Sequence, residues 1–159
     1  RIQPGHGLPG LHTIFECAKT EHNVSIIADG GIRTSGDMVK ALAAGADFVM
    51  VGSMLAGTIE TPGQVMHTVN GKSHKVYRGM ASKDAQMDWR GHASSNEGVS
   101  TTVPIGGHVS NKLGEIENGI RSGLSYSGAR NIRELQAKAK FVRQTNASAT
   151  ESSTHILLK

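Results

Sequence analysis

Two short apolar runs set the pattern of the chain. Ile26-Ile27-Ala28 leads into Asp29-Gly30-Gly31-Ile32, and Val49-Met50-Val51 leads into Gly52-Ser53. Runs this short, enriched in β-branched residues and ending in glycine, read as buried strands; their predicted bounds are Val24–Ala28 and Phe48–Val51. Between them one helical pattern predicts a helix over 35–44, with Thr34 or Ser35 as its cap, Asp37 in its first turn and Gly45 as its stop. Strand, crossover helix and strand form a βαβ unit. Its strands must run parallel, so both glycine turns leave the same sheet edge, which is where α/β folds place phosphate-bearing ligands.

The same periodicity predicts flanking helices. Leu11, Ile14, Phe15 and Ala18 share one face after Pro9, with Cys17 inside that helix as a small, half-buried residue. Leu113, Ile116, Ile120 and Leu124 mark a second helix. Ile132, Leu135, Ala139 and Val142 mark a third, started by an Asn131/Glu134 capping pair. In between, 64–69 and 73–77 alternate around Asn70-Gly71, a strong two-residue hairpin signal. Residues 78–104 are polar, carry the one tryptophan, Trp89, and lack periodic apolar positions, so they are expected to form a lid loop. The end of the chain, from Gln144, is polar until Ile156-Leu157-Leu158.

Two parallel strands cannot close a barrel and leave open edges. The chain also opens in mid-loop, without methionine. The expectation is therefore that another polypeptide or segment completes the sheet.

Composition narrows the function. With 159 residues, 37% hydrophobic, and one cysteine, the chain supports a single core without a disulfide framework. It has neither a signal-type apolar segment nor a run near the ~20 residues of a membrane span, so a cytoplasmic setting is expected. The net charge of +4 is spread out and not interleaved with aromatic residues, which argues against nucleic acid. The histidines at 6, 12, 22, 67, 74, 92, 108 and 155 have no recognised ligand spacing, which argues against a histidine metal site.

Unobstructed backbone N–H groups at Gly30-Gly31, with further N–H groups and a hydroxyl at Gly52-Ser53, suit a phosphate. Asp29, at a strand tip, suits ribose hydroxyls; a turn cap is the simpler use of the same residue.

In order along the chain, Ala28-Asp29-Gly30-Gly31-Ile32-Arg33, Ser35-Gly36-Asp37, Lys40-Ala41-Leu42-Ala43-Ala44-Gly45-Ala46, Val51-Gly52-Ser53-Met54-Leu55-Ala56-Gly57-Thr58, Pro62-Gly63 and Tyr77-Arg78-Gly79-Met80 resemble the C-terminal half of the catalytic barrel of the IMP dehydrogenase/GMP reductase family. Glu97-Gly98-Val99, Gly119-Ile120-Arg121-Ser122, Tyr126-Ser127-Gly128-Ala129, Glu134-Leu135 and Glu151-Ser152 extend the resemblance over nearly the whole chain. It implies the C-terminal portion of a TIM (β/α)8 barrel over residues 1–159, with hairpin 64–77 and lid loop 78–104 as excursions.

The resemblance also implies roles for single residues. Asp29 would hold the ribose hydroxyls of a purine nucleotide, GMP or IMP, with Gly30 among the substrate-binding residues; Gly31, Gly52, Ser53 and Tyr77 would hold its phosphate; Gly79 and Met80 would lie along its base, with Ala81 beside them. Glu97 would address the purine edge and help activate the leaving ammonia in a reductase. Glu151, Ser152 and Ser153 fall where dehydrogenases supply carbonyls to a monovalent cation, implying potassium. The family's nucleophilic cysteine belongs upstream of the segment resembling residues 1–9, and Cys17 lies too far along to replace it. The isolated chain is thus expected to be inactive without its N-terminal half-barrel, and the complete protein to be a homotetramer.

The 81–96 segment lacks the Arg-Tyr pair by which dehydrogenases activate water, and Glu97-Gly98 running through a short strand into Val103-Pro104 resembles the reductase. Ala28 to Arg33 and Glu151-Ser152 resemble dehydrogenases more. The sequence favours GMP reductase with NADPH; IMP dehydrogenase with NAD is the alternative. A non-enzymatic nucleotide-binding regulator would have no need of Glu97 or Tyr77, and both are present.

Overall fold

The computed structural model describes residues 5–67, 70–94 and 97–153. Helix α1 (Gly10–Cys17) precedes strand β1 (Ile27–Asp29), helix α2 (Ser35–Ala43) and strand β2 (Phe48–Met50). The two strands pair in parallel, with Ile27 opposite Phe48 and Asp29 opposite Met50. The βαβ unit is therefore present, with each strand shorter than its apolar run.

The start of α2 shows why it forms where it does. Thr34 Oγ1 accepts from the Asp37 backbone N–H at 3.1 Å, and Asp37 Oδ2 accepts from the Thr34 N–H at 3.1 Å, a reciprocal capping box. Burial pushes the Asp37 carboxyl up, but Lys40, Thr34 and the Arg33 N–H together hold it below the ordinary aspartate value of 3.8. Its stabilising contribution is therefore complete above that value and is lost as pH falls through the lower folded one. Thr34→Ala is expected to cost about 1 kcal/mol in urea unfolding at neutral pH. Asp37→Asn is expected to flatten the loss of stability on acidification; an unchanged acid limb would contradict this role.

Ala28, Ile32, Met38, Ala41 and Ala46 form one buried cluster, and Leu42, Ala129 and Leu135 a second. Both lie on the helix-covered face of the parallel pair. Helix α3 (Ser53–Ala56) follows β2 directly, while helices α5 (Val109–Tyr126) and α6 (Ile132–Lys138) complete the cover. Gly119 and Gly123 let α5 lie close on α2, since a Cβ at either would fall about 2–2.5 Å from the Ser35 or Val39 side chain. The opposite face is bare: Ile27 is 54% exposed, Phe48 58% and Met50 51%.

The middle of the chain departs from expectation. Strands β3 (Val65–His67) and β4 (Ser73–Arg78) form the antiparallel hairpin around Asn70-Gly71; Thr68 and Val69 lie outside the described residues. Residues 78–104, read as a loop from sequence, contain helix α4 (Lys83–Arg90) and strand β5 (Ser100–Pro104). Strand β5 pairs with β4, giving a three-stranded sheet in the order β3-β4-β5. Helix α4 buries only Ala85 and Gln86, so it carries no apolar stripe; its ends are set by Ser82, which caps the Ala85 N–H, and by left-handed Gly91.

Cys17 is exposed rather than half-buried. Helix α6 stops at Lys138, leaving Val142 83% exposed, because the chain extends at Ala139 and carries Phe141 edge-on to Phe15, with ring centroids 4.9 Å apart. Helix α7 (Asn146–Glu151), capped by Thr145, ends the described chain, and Ile156-Leu157-Leu158 lie outside it. No helix among the described residues is long and apolar enough to cross a membrane.

Candidate functional site

Parallel pairing of β1 and β2 delivers two turns to one edge. Gly30 and Gly31 both adopt positive φ, +87° and +75°, which a side chain would resist. They expose consecutive backbone amides beside Asp29, which is itself solvent-exposed. A groove of about 760 Å³ runs past Asp29, Gly30 and Gly31 and is lined on its far side by Leu8, Leu11 and Cys17.

The second turn meets the antiparallel sheet. Tyr77, near the end of β4, places its hydroxyl against Gly52; a Cβ there would stand 2.6 Å from Tyr77 Oη. Gly52 is the entry residue of α3 and Ser53 its first helical residue. Gly52, Ser53 and Tyr77 thus form one cluster, assembled from residues far apart in sequence.

Beyond Tyr77 the chain makes a tight turn over 79–82, closed by the Ser82 N–H donating to the Gly79 carbonyl at 2.9 Å. The Gly98 N–H donates to the Ala81 carbonyl at 3.0 Å, and the Gly79 N–H to the Val99 carbonyl at 3.4 Å. Gly98 is packed so closely that a Cβ would lie 2.2 Å from the Ser82 nitrogen. This packing brings Glu97, half-buried, to the turn that carries Gly79, Met80 and Ala81. Met80 is 66% exposed. Gln86 Nε2 holds the Ala81 carbonyl at 2.9 Å from below, and Arg78 pairs with Asp88 across the base of the turn.

Glu151, Ser152 and Ser153 stand apart in character. All three are exposed, and the Ser152 and Ser153 hydroxyls donate back to the Ala149 and Thr150 carbonyls of their own helix. Among the described residues no three His, Cys, Asp or Glu side chains gather as a metal site.

Other residues with structural work to do were not visible in the sequence. Glu60 caps α5 from a distant loop, accepting from the Val109 N–H at 2.9 Å and facing His108 Nδ1 at 3.1 Å. Those contacts, the Val109 hydrogen bond foremost, hold its carboxyl below the ordinary glutamate range. Lys75 is buried within the β4–α3 junction. Neither belongs to a local motif.

Known proteins similar to this chain fall in one family. The family model described as "IMP dehydrogenase / GMP reductase domain" matches residues 1–155. The inosine-5'-monophosphate dehydrogenase of Aquifex aeolicus is 48% identical over 98% of this chain and 34% of its own length. The GMP reductase of Leishmania major is 42% identical over the whole chain and 35% of its own length. A crystal structure of a GMP reductase variant from Trypanosoma brucei, in complex with guanosine 5'-monophosphate, superposes with a TM-score of 0.89 at 42% identity, over 98% of this chain and 33% of that one. The chain spans about a third of the length of the curated relatives it matches. It has an α/β fold that matches GMP reductase over that span, and it belongs to the IMP dehydrogenase/GMP reductase family.

Proposed function

We propose that this chain is the nucleotide-holding part of a GMP reductase, which converts GMP and NADPH to IMP, ammonia and NADP. The observation that carries the reading is the gathering of Gly52, Ser53 and Tyr77 into one cluster, on the strand edge that also presents Asp29, Gly30 and Gly31. In this reading Asp29 and Gly30 grip the ribose, and Gly31, Gly52, Ser53 and Tyr77 grip the phosphate. Gly79, Met80 and Ala81 lie along the purine. Glu97 reaches the purine edge and hands a proton to the departing amino group.

NADPH supplies the hydride when bound. Met80, which would lie along the base, is 66% exposed. The absence of an Arg-Tyr pair over 81–96 favours the reductase, which needs no hydrolytic water. One observation favours IMP dehydrogenase with NAD instead: the dehydrogenase relatives reach 48% identity against 42% for the reductases.

The bare face carrying Ile27, Phe48 and Met50 is taken as the inner wall of a TIM (β/α)8 barrel, closed by an N-terminal half that brings the nucleophilic cysteine. The chain alone is then inactive, and the closed protein is a cytoplasmic homotetramer. A potassium ion near Glu151, Ser152 and Ser153 would take backbone carbonyls, because both serine hydroxyls are turned to their own helix.

Calorimetric titration of this chain with GMP and with guanosine tests the binding half of the reading. The expected result is that GMP binds at least about tenfold more tightly, the phosphate being held by several N–H donors. Equal affinities would remove the phosphate grip and the reading with it.

A further inference from the structure

Lys75 sits in the middle of a polar-looking strand yet is 5% exposed. Its ammonium donates to the carbonyls of Thr58 at 2.7 Å and Ile59 at 2.8 Å, and to that of Thr61. Three donors meet three acceptors, so every N–H of the group is used. Among the described residues no carboxylate pairs with it. The charge is held by carbonyl dipoles alone, an arrangement whose desolvation cost is met only if all three contacts persist.

Those carbonyls belong to the segment leaving α3. Thr58 and Thr61 hydroxyls both donate to the Leu55 carbonyl, at 2.9 and 2.7 Å, knitting 55–61 into one unit. Side chains two apart on a strand share a face, and Lys75 and Tyr77 both reach the α3 segment, Lys75 at its exit and Tyr77 over Gly52 at its entry.

We propose that Lys75 is a positioning residue for the nucleotide phosphate: by fixing the exit of α3 against β4, it sets the distance between the Gly52-Ser53 turn and the Tyr77 hydroxyl. This rests on the assignment of those residues to the phosphate. Lys75 itself touches no ligand. Its removal would leave the Ile59 and Thr61 carbonyls without this donor, the Thr58 carbonyl keeping only the Thr61 N–H at 3.3 Å, and would let α3 slide along β4; a shift near 1 Å at such a distance suffices to weaken a built site by about an order of magnitude or more.

Two measurements on the full chain test this separately. The first is affinity for GMP and for guanosine in wild type, Lys75→Met and Lys75→Arg. The expected result is that Met weakens GMP roughly tenfold and leaves guanosine unchanged, while Arg, which keeps the charge and its donors, falls between. Equal loss for both ligands, or Arg no better than Met, would overturn the proposal. The second is amide hydrogen exchange without nucleotide. In Lys75→Met the Leu55, Ala56 and Thr58 amides should exchange faster while those of α5 keep their wild-type rates. Uniform acceleration would show a merely global role and overturn it. If wild type does not bind GMP, the nucleotide reading fails and the phosphate role of Lys75 falls with it, whereas binding by wild type with an equal loss for both ligands overturns the Lys75 proposal alone. If Lys75→Met does not fold, Lys75→Arg carries both comparisons, with the same phosphate-selective loss expected at smaller size.

Discussion

On the proposed reading, Glu97→Gln in this chain joined to a cysteine-bearing N-terminal half is expected to slow GMP deamination by about 10²–10⁴-fold. GMP affinity should change little. The amide keeps the shape of the carboxyl and can still bond the purine edge, but it cannot deliver a proton to the leaving amine. The main-chain bond from Gly98 to Ala81 and the close fit of Gly98 on Ser82 hold position 97 regardless of its side chain, so the substitution should not move the turn. Steady-state kinetics check this: kcat should fall with KM nearly unchanged. A loss below about tenfold would assign the proton to another group.

The second large effect is expected at a residue outside the candidate site. Phe48→Asp places a carboxylate on the bare face of the parallel pair, directly opposite Ile27. Because Phe48 is 58% exposed, the isolated chain should lose no more than about 0.5 kcal/mol in urea unfolding. If the barrel closes over that face, the same carboxylate is buried without a partner at a cost of several kcal/mol. Titration of the N-terminal half should then restore no activity to Phe48→Asp while restoring it to wild type. Equal restoration would show that this face stays in water.

The parts of the molecule that were legible in the sequence are those where local pattern and tertiary demand agree. Ile26, Ala28, Val49 and Val51 are apolar because they pack on the helix-covered face, Ile27 and Met50 lie on the bare one, and the capping box at Thr34 and Asp37 marks its own helix. Asn70-Gly71 declared its hairpin, with Gly71 at φ +73°. Helix α4 could not be seen, because a helix that buries only Ala85 and Gln86 leaves no periodic trace. Strand β5 is mostly exposed and exists through its pairing with β4. The burial of Lys75 left no mark in the sequence, because the three carbonyls that enclose it come from a preceding loop and not from its own strand.

The candidate site divides in the same way. Asp29, Gly30 and Gly31 were readable from the strand and its turn. The meeting of Tyr77 with Gly52, and of Glu97 with the 79–82 turn, depends on how β4 and β5 pack, which no local spacing encodes. There the family resemblance pointed to residues that pattern alone would have left as a loop carboxylate and a strand tyrosine.

The most direct test of the account is reconstitution of this chain with an N-terminal half-barrel, assayed for NADPH oxidation with GMP and for NAD reduction with IMP. The account predicts no turnover by the purified chain alone, and NADPH oxidation with GMP once the halves are joined. Turnover by the isolated chain, or a joined protein that only reduces NAD with IMP, would contradict it.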